Sequence, residues 1–118
     1  MRKKFMGGNW KMNGNQHELV RLVREMRELG MDEYKNMDIV VFPSFVYLDE
    51  IKKTLKGSVM RLGAQNQADQ LQGAFTGEVS WSSLILLYGS RALKFIHVIL
   101  APPCRNTVEP SHAKRIPF

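Results

Sequence analysis

The sequence contains one cysteine, Cys104, so an internal disulfide is excluded. The three histidines, His17, His97 and His112, do not combine with it in the spacing of a metal site. No apolar run is long enough to span a bilayer, and the basic start is not followed by the apolar core of a secretory signal. We therefore expect a cytoplasmic protein in a reducing compartment, with no metal and no membrane partner.

Acidic residues are scarce only at one end of the chain. The 118 residues carry a net charge of +6, with 12 basic against 10 acidic side chains up to Ser80 and 5 against 1 after it. The Lys114–Arg115 pair in the basic tail has no aromatic platform beside it, which disfavours a nucleic-acid partner. One hypothesis is a basic accessory protein that binds nucleic acid through this tail, and it rests on the charge of the tail alone. Salt-dependent binding to an oligonucleotide would test it.

Up to Ser80, apolar runs of strand length alternate with segments of helical period. Strands are predicted at 4–8, 38–42 and 59–64, the second being a continuous apolar run typical of a buried parallel strand. A first helix, capped by Asn13 or Asn15, precedes Gly30, and a second runs from Pro43 to about Leu55 before Gly57. This alternation predicts an α/β fold with a parallel sheet and right-handed crossovers.

Each predicted helix has an apolar side and a charged side. The apolar positions are Leu19, Val20, Leu22, Val23, Met26 and Leu29 in the first helix, and Phe45, Leu48, Ile51 and Leu55 in the second. The charged side of the first helix holds Arg21, Arg24, Glu25, Arg27 and Glu28, which we interpret as a solvated face. The helices therefore cover one face of the sheet. A sheet of three or four strands leaves two open edges and an uncovered inner face, which favours association.

The octapeptide GGNWKMNG at 7–14 is the most informative segment. It joins the first strand to the first helix, so Asn9 and Lys11 lie at the carboxyl end of a strand, where α/β sheets bind ligands. The glycines allow close backbone approach, Asn9 offers amide donors and Lys11 carries a positive charge. The pattern predicts recognition of a small anion, the alternative being a solvated lysine in a surface turn.

This octapeptide resembles the Asn-x-Lys segment that ends the first strand of the triosephosphate isomerase family. Two later segments resemble the same family in the same order: VFPSFVYL at 41–48, then LGAQN at 62–66 with GAFTGEVS at 73–80. The resemblance covers residues 1–80, and the chain is too short for a barrel of eight strand-helix units. It implies a partial (β/α)8 TIM barrel of three to four units with an irregular C-terminal tail.

The resemblance also implies a function and a set of residues. The reaction is the cofactor-free interconversion of dihydroxyacetone phosphate and glyceraldehyde 3-phosphate in glycolysis and gluconeogenesis. Asn9 and Lys11 bind the phosphorylated triose, and Lys11 is the electrostatic catalyst. The polar loop from Gln67 to Glu78 belongs to a homodimer interface, whose residues here are Gln65, Thr76, Gly77 and Glu78.

Residues 81–118 form a divergent segment, with a possible strand at 93–100 followed by an irregular basic tail. His97 lies between apolar neighbours and is not followed by the family's Ser-Glu-Arg-Arg, so we do not assign it as the electrophile. Glu109, before Pro110, has nothing to position it as the base. We therefore expect a truncated isomerase that is inactive alone. The alternative is a non-catalytic interaction protein that pairs with full-length isomerase through the Thr76 loop.

Overall fold

The computed structural model describes residues 2–89, and the predicted strand at 93–100, the basic tail, His97, Cys104 and Glu109 lie outside them. Three parallel strands form one sheet in the order β1-β2-β3, with β1 at Lys4–Asn9, β2 at Met37–Phe42 and β3 at Arg61–Leu62. In register, Asn9 lies beside Phe42 and Val41 beside Leu62. The predicted α/β fold with a parallel sheet is confirmed. The predicted third strand is reduced to two residues, although the Gly63 N–H still donates to the Val41 carbonyl at 2.9 Å.

Three α-helices follow the strands: α1 at Gln16–Glu28, α2 at Leu48–Thr54 and α3 at Trp81–Tyr88. Short 3-10 turns lie at Met31–Glu33 and Phe45–Tyr47, so the segment predicted as helix from Pro43 begins as a 3-10 turn. Asn15, and not Asn13, caps α1: its side chain accepts from the Glu18 N–H, and the Glu18 carboxylate accepts from the Asn15 N–H. This reciprocal capping box fixes where α1 begins.

The core lies between the sheet and the helices. On β2, Ile39 and Val41 point toward α1 and α2 and pack in one buried cluster. The helical members of that cluster are Leu19, Val23, Leu48, Ile51, Leu55 and Leu84. Leu22 and Leu29, predicted as core residues, are exposed instead. Leu29 is the C-cap of α1, beyond the last turn that packs on the sheet.

The opposite face of the sheet is not open along β2, contrary to our expectation of an uncovered inner face. Val40 and Phe42 alternate with the core residues and are fully buried. The Phe42 ring lies against the glycines of both neighbouring strands, because a Cβ on Gly63 would come within 2.2 Å of the ring and one on Gly7 within 3.4 Å. The missing side chain of Gly63 thus provides the space in which the Phe42 ring is buried.

Arg27 is not part of the solvated face to which the sequence assigned it. Its Nε lies 3.0 Å from the Asp32 carboxylate, and its Nη1 donates to the Thr54 and Lys56 carbonyls at 3.4 Å each. The long side chain reaches the carbonyls at the end of α2, where a positive charge is favoured. Arg27 therefore links α1 to the carboxyl end of α2.

Helix α3 begins where the sequence was predicted to diverge. The Ser80 hydroxyl accepts from the Ser83 N–H at 3.2 Å and caps the helix. Leu84 is buried in the core, and Lys52 of α2 donates to the Leu87 carbonyl and lies 5.6 Å from the centre of the Tyr88 ring. The segment 81–88 is thus packed onto the same core as residues 4–80. Within residues 2–89, no helix is long and apolar enough to cross a membrane.

Candidate functional site

The turn after β1 is held in an unusual backbone conformation. Asn9 is the last residue of β1, and its side-chain oxygen accepts from the Lys11 N–H at 2.8 Å. Lys11 has a φ of 55°, in the left-handed region that costs a non-glycine residue roughly 1–2 kcal/mol. The Asn13 N–H closes the turn on the Trp10 carbonyl at 3.2 Å. Surrounding contacts must maintain this geometry, since Lys11 does not prefer it.

Those contacts come from the two neighbouring strands. The Lys11 carbonyl accepts one hydrogen bond from the Ser44 hydroxyl at 2.9 Å and a second from the Gln65 side-chain amide at 2.7 Å. The same Gln65 amide nitrogen also donates to the Phe42 carbonyl at 2.8 Å. Ser44 follows β2 and Gln65 follows β3, so residues after all three strands meet at one carbonyl. We call Asn9, Lys11, Ser44 and Gln65 the Lys11 corner.

Two polar groups of this corner have no hydrogen-bond partner among the described residues. In the part of the chain that the structure describes, the Lys11 ammonium makes no hydrogen bond or ion pair, and neither does the side-chain NH2 of Asn9. Both residues are exposed at the carboxyl end of the sheet. A positive charge and an amide donor on a fixed turn are suited to a small anion.

The sequence predicts Asn9 and Lys11 at the end of the first strand, but it does not predict how they are held. Ser44 and Gln65 both lie in segments that resemble the family, and Gln65 is also a predicted interface residue. The structure gives Gln65 a further role, which is to position Lys11. Its place directly after the third strand was the available signal, since carboxyl ends of parallel strands lie at one edge of a sheet.

The predicted interface loop is separate from this corner. Residues 69–78 are all exposed, including Thr76, Gly77 and Glu78. The loop is closed at its base by a bridge between Ala68 and Ser80, in which the Ala68 N–H donates to the Val79 carbonyl at 2.7 Å. Among residues 2–89, no hydrogen bond or ion pair joins the loop tip to Asn9 or Lys11. The interface role of these residues remains a prediction.

Metal-ligating side chains do not gather at the corner. Across residues 2–89, no group of three or more His, Cys, Asp or Glu side chains is arranged to hold a metal ion. Asp32 and Asp38, two carboxylates whose pKa is lowered by hydrogen bonds from neighbouring side chains, belong to the opposite, amino end of the sheet. The chemistry available at the Lys11 corner is therefore positive charge and hydrogen bonding.

The sequence of the described segment is similar to that of known proteins. The family model described as triosephosphate isomerase matches residues 4–90, which includes α3 and extends past Ser80. The chain is 46% identical over 80 residues to the triosephosphate isomerase of Clostridium beijerinckii, a match that covers 68% of this chain and 32% of that protein. It is 37% identical over 86 residues to that of Pseudomonas fluorescens, covering 72% of this chain and 34% of that protein. The chain thus spans about a third of the length of the curated relatives it matches.

Proposed function

Because the chain belongs to the triosephosphate isomerase family, we propose that its three strand-helix units are the first part of a (β/α)8 barrel and that the Lys11 corner binds a phosphorylated triose. The observation that carries this proposal is the free Lys11 ammonium on a turn held by all three strands. Ligands of such barrels bind at the carboxyl ends of the strands, which is where this turn lies. The cellular setting proposed is glycolysis and gluconeogenesis in the cytoplasm.

The role proposed for Lys11 is electrostatic. The reaction moves a proton between adjacent carbons of the triose, and negative charge develops on oxygen as the enediolate forms. An ammonium about 4 Å from such an oxygen contributes at most about 4 kcal/mol at an effective dielectric near 20, before desolvation is subtracted. The side-chain NH2 of Asn9 supplies a hydrogen bond to the same substrate. The Asn9 side chain is oriented by its hydrogen bond to the Lys11 N–H, and the fixed backbone of Lys11 sets where its side chain begins.

Residues 1–118, assayed alone, are proposed to be inactive. Triosephosphate isomerase is a standard example of pKa tuning in an active site, and it uses a glutamate base and a neutral histidine electrophile. The Lys11 corner contains neither type of side chain. A placed acid or base contributes about 10²- to 10⁴-fold in rate, and its loss leaves little catalysis to measure.

A coupled assay with the purified 118-residue chain tests this proposal. We expect no turnover above that of a Lys11→Ala control. We also expect the chain to bind dihydroxyacetone phosphate, and Lys11→Ala to weaken this binding. Backbone amide shifts at residues 9–13, followed by NMR during titration, report the binding. Turnover that depends on Lys11 contradicts the proposed inactivity, and triose binding unaffected by Lys11→Ala contradicts the proposed site.

A second candidate function is non-catalytic pairing, with another copy of this chain or with a full-length isomerase. The observation in its favour is the exposed loop tip on a closed base, which presents Thr76 and Glu78 without burying them in their own chain. Co-purification with a full-length isomerase tests it, with Thr76→Arg expected to abolish pairing. Ser83→Arg is the matched control, because Ser83 is also exposed but lies on α3. Failure to co-purify, or equal effects of both substitutions, would contradict the pairing.

A further inference from the structure

A cavity of about 320 Å³ opens at the amino end of the sheet, the end opposite the Lys11 corner. Three of its lining residues are basic and come from three separate segments: Lys3 before β1, Lys35 before β2 and Arg61 at the start of β3. The remaining lining residues are Met37, Ser58 and Val59. We call this the amino-end cavity. Its volume lies at the lower end of the range for small-molecule sites.

One carboxylate accounts for only part of this positive charge. Asp38 Oδ1 lies 2.7 Å from Lys3 Nζ and 3.6 Å from Arg61 Nε, so two cations share a single oxygen. The hydrogen bond from Lys3 and the charges of Lys3 and Arg61 lower the pKa of Asp38, which keeps it ionised. Asp38 offsets one of the three basic lining residues, and Asp32, which Ser58 and Val59 contact from the cavity wall, is itself paired with Arg27 at 3.0 Å, so a surplus of positive charge remains at the cavity.

Two of the cations retain free donors. Lys35 is exposed, and within residues 2–89 its ammonium has no hydrogen bond or ion pair. Over the same residues, the Arg61 guanidinium has only the longer contact to Asp38. Arginine presents planar N–H pairs that match phosphate oxygens, and lysine adds a point charge.

The neutral donors of the cavity wall are already used. The Ser58 hydroxyl and the Val59 N–H both donate to Asp32 Oδ1. The cavity therefore has no cradle of backbone N–H groups for a single phosphate and recognises charge instead. An anion with several negative charges is the ligand that offsets the surplus.

We propose that the amino-end cavity binds a small polyphosphate, held by Lys35 and Arg61 with Lys3 at its edge. The site is independent of the proposed isomerase function, because five steps along β1 place it roughly 16 Å from the Lys11 corner. Binding by surface charges is weak and salt-dependent. Because the cavity carries a surplus of positive charge, its proposed ligand is a diphosphate or triphosphate group and not a neutral metabolite.

Calorimetric titration of the 118-residue chain with inorganic pyrophosphate tests the proposal. At about 50 mM salt we expect binding that weakens clearly at about 200 mM. In a Lys11→Ala background, which removes anion binding at the carboxyl end of the sheet, Lys35→Ala should weaken pyrophosphate binding by about fivefold and Lys35→Glu should abolish it. Arg24→Ala is the matched control, because it removes the same charge from an exposed position on α1.

The outcomes separate this site from the Lys11 corner. Absence of pyrophosphate binding overturns the proposal, and so does binding that Lys35→Ala and Arg24→Ala weaken equally. Loss of binding in Lys11→Ala would assign the anion to the carboxyl end and also overturn it. Lys35 is exposed and unpaired within the described residues, so its substitution should leave the thermal midpoint unchanged and a folding defect would be visible separately.

Discussion

The side-chain amide of Gln65 and the backbone carbonyl of Lys11 form a 2.7 Å hydrogen bond between residues 54 positions apart. This bond joins the end of the third strand to the turn that follows the first. It holds Lys11 at a φ of 55°, a conformation that the residue does not prefer by itself. The position of the proposed catalytic ammonium therefore depends on a residue that does not need to touch the substrate.

Replacing Gln65 with Leu should loosen the Lys11 corner. The substitution removes both donated hydrogen bonds, but the Lys11 carbonyl keeps the Ser44 hydroxyl and the Phe42 carbonyl keeps the Trp10 N–H, so the free energy of unfolding should fall by about 1 kcal/mol. Triose binding measured by NMR titration should weaken, with shifts at residues 9–13 broadened. Gln70→Leu, in the exposed loop, is the control and should change neither quantity. Unchanged binding in Gln65→Leu would show that Ser44 suffices to hold the turn.

Two substitutions at Lys11 should separate its backbone role from its charge. Lys11→Gly fits the left-handed conformation without strain, whereas Lys11→Ala retains a Cβ there. We expect the glycine variant to be more stable than the alanine variant by about 1 kcal/mol in urea unfolding. Triose binding should be weakened to the same extent in both, because both lack the ammonium. Equal stability of the two variants would mean that the turn relaxes away from the positive φ.

The contact between Phe42 and Gly63 should make that glycine irreplaceable. A Cβ at Gly63 would lie 2.2 Å from the Phe42 ring, closer than packed atoms allow. Gly63→Ala should lower the free energy of unfolding by roughly 1–3 kcal/mol. Gly8→Ala is the control, since its Cβ would meet nothing nearer than 3.6 Å and its φ is not in the left-handed region. If the ring is the cause, Gly63→Ala should be less damaging in a Phe42→Leu background.

Asp32 should make stability depend on pH in the acid range. Hydrogen bonds from the Ser58 hydroxyl, the Val59 N–H and Arg27 lower the pKa of Asp32 below its ordinary value of 3.8. A carboxyl group whose pKa is lower in the folded state adds stability above its unfolded pKa, about 3.9, and loses it as the pH falls through the folded value. Asp32→Asn should thus be less stable at pH 7 and should lose less stability on acidification.

Thermal unfolding between pH 7 and pH 3 measures this difference. Asp69→Asn, in the exposed loop, is the control and should follow the parent chain across the range. An Asp32→Asn variant with the parent's pH profile would show that the contacts of Asp32 with α1 and with the α2–β3 connection are not lost on protonation.

The sequence by itself determined the order of the elements and the residues that could carry chemistry. A short, continuous apolar run between turn residues is typical of a parallel strand that is buried on both faces. Ile39 to Phe42 of β2 form such a run. Helical spacing placed Leu19 and Val23 in the core, and Asn9 and Lys11 were identifiable because a glycine-bounded turn ended a strand. These features depend on residues that are close together in the chain, so they can be predicted from the local sequence pattern.

Only the tertiary structure decided the contacts between distant segments. Arg27 was predicted to be solvated from its helical position, yet Asp32 and the end of α2 lie within its reach. The convergence of Ser44 and Gln65 on the Lys11 carbonyl depends on the register of three strands, which pairs residues that are far apart in the chain. The same holds for Phe42, whose ring is accommodated because Gly63, directly after β3, has no side chain.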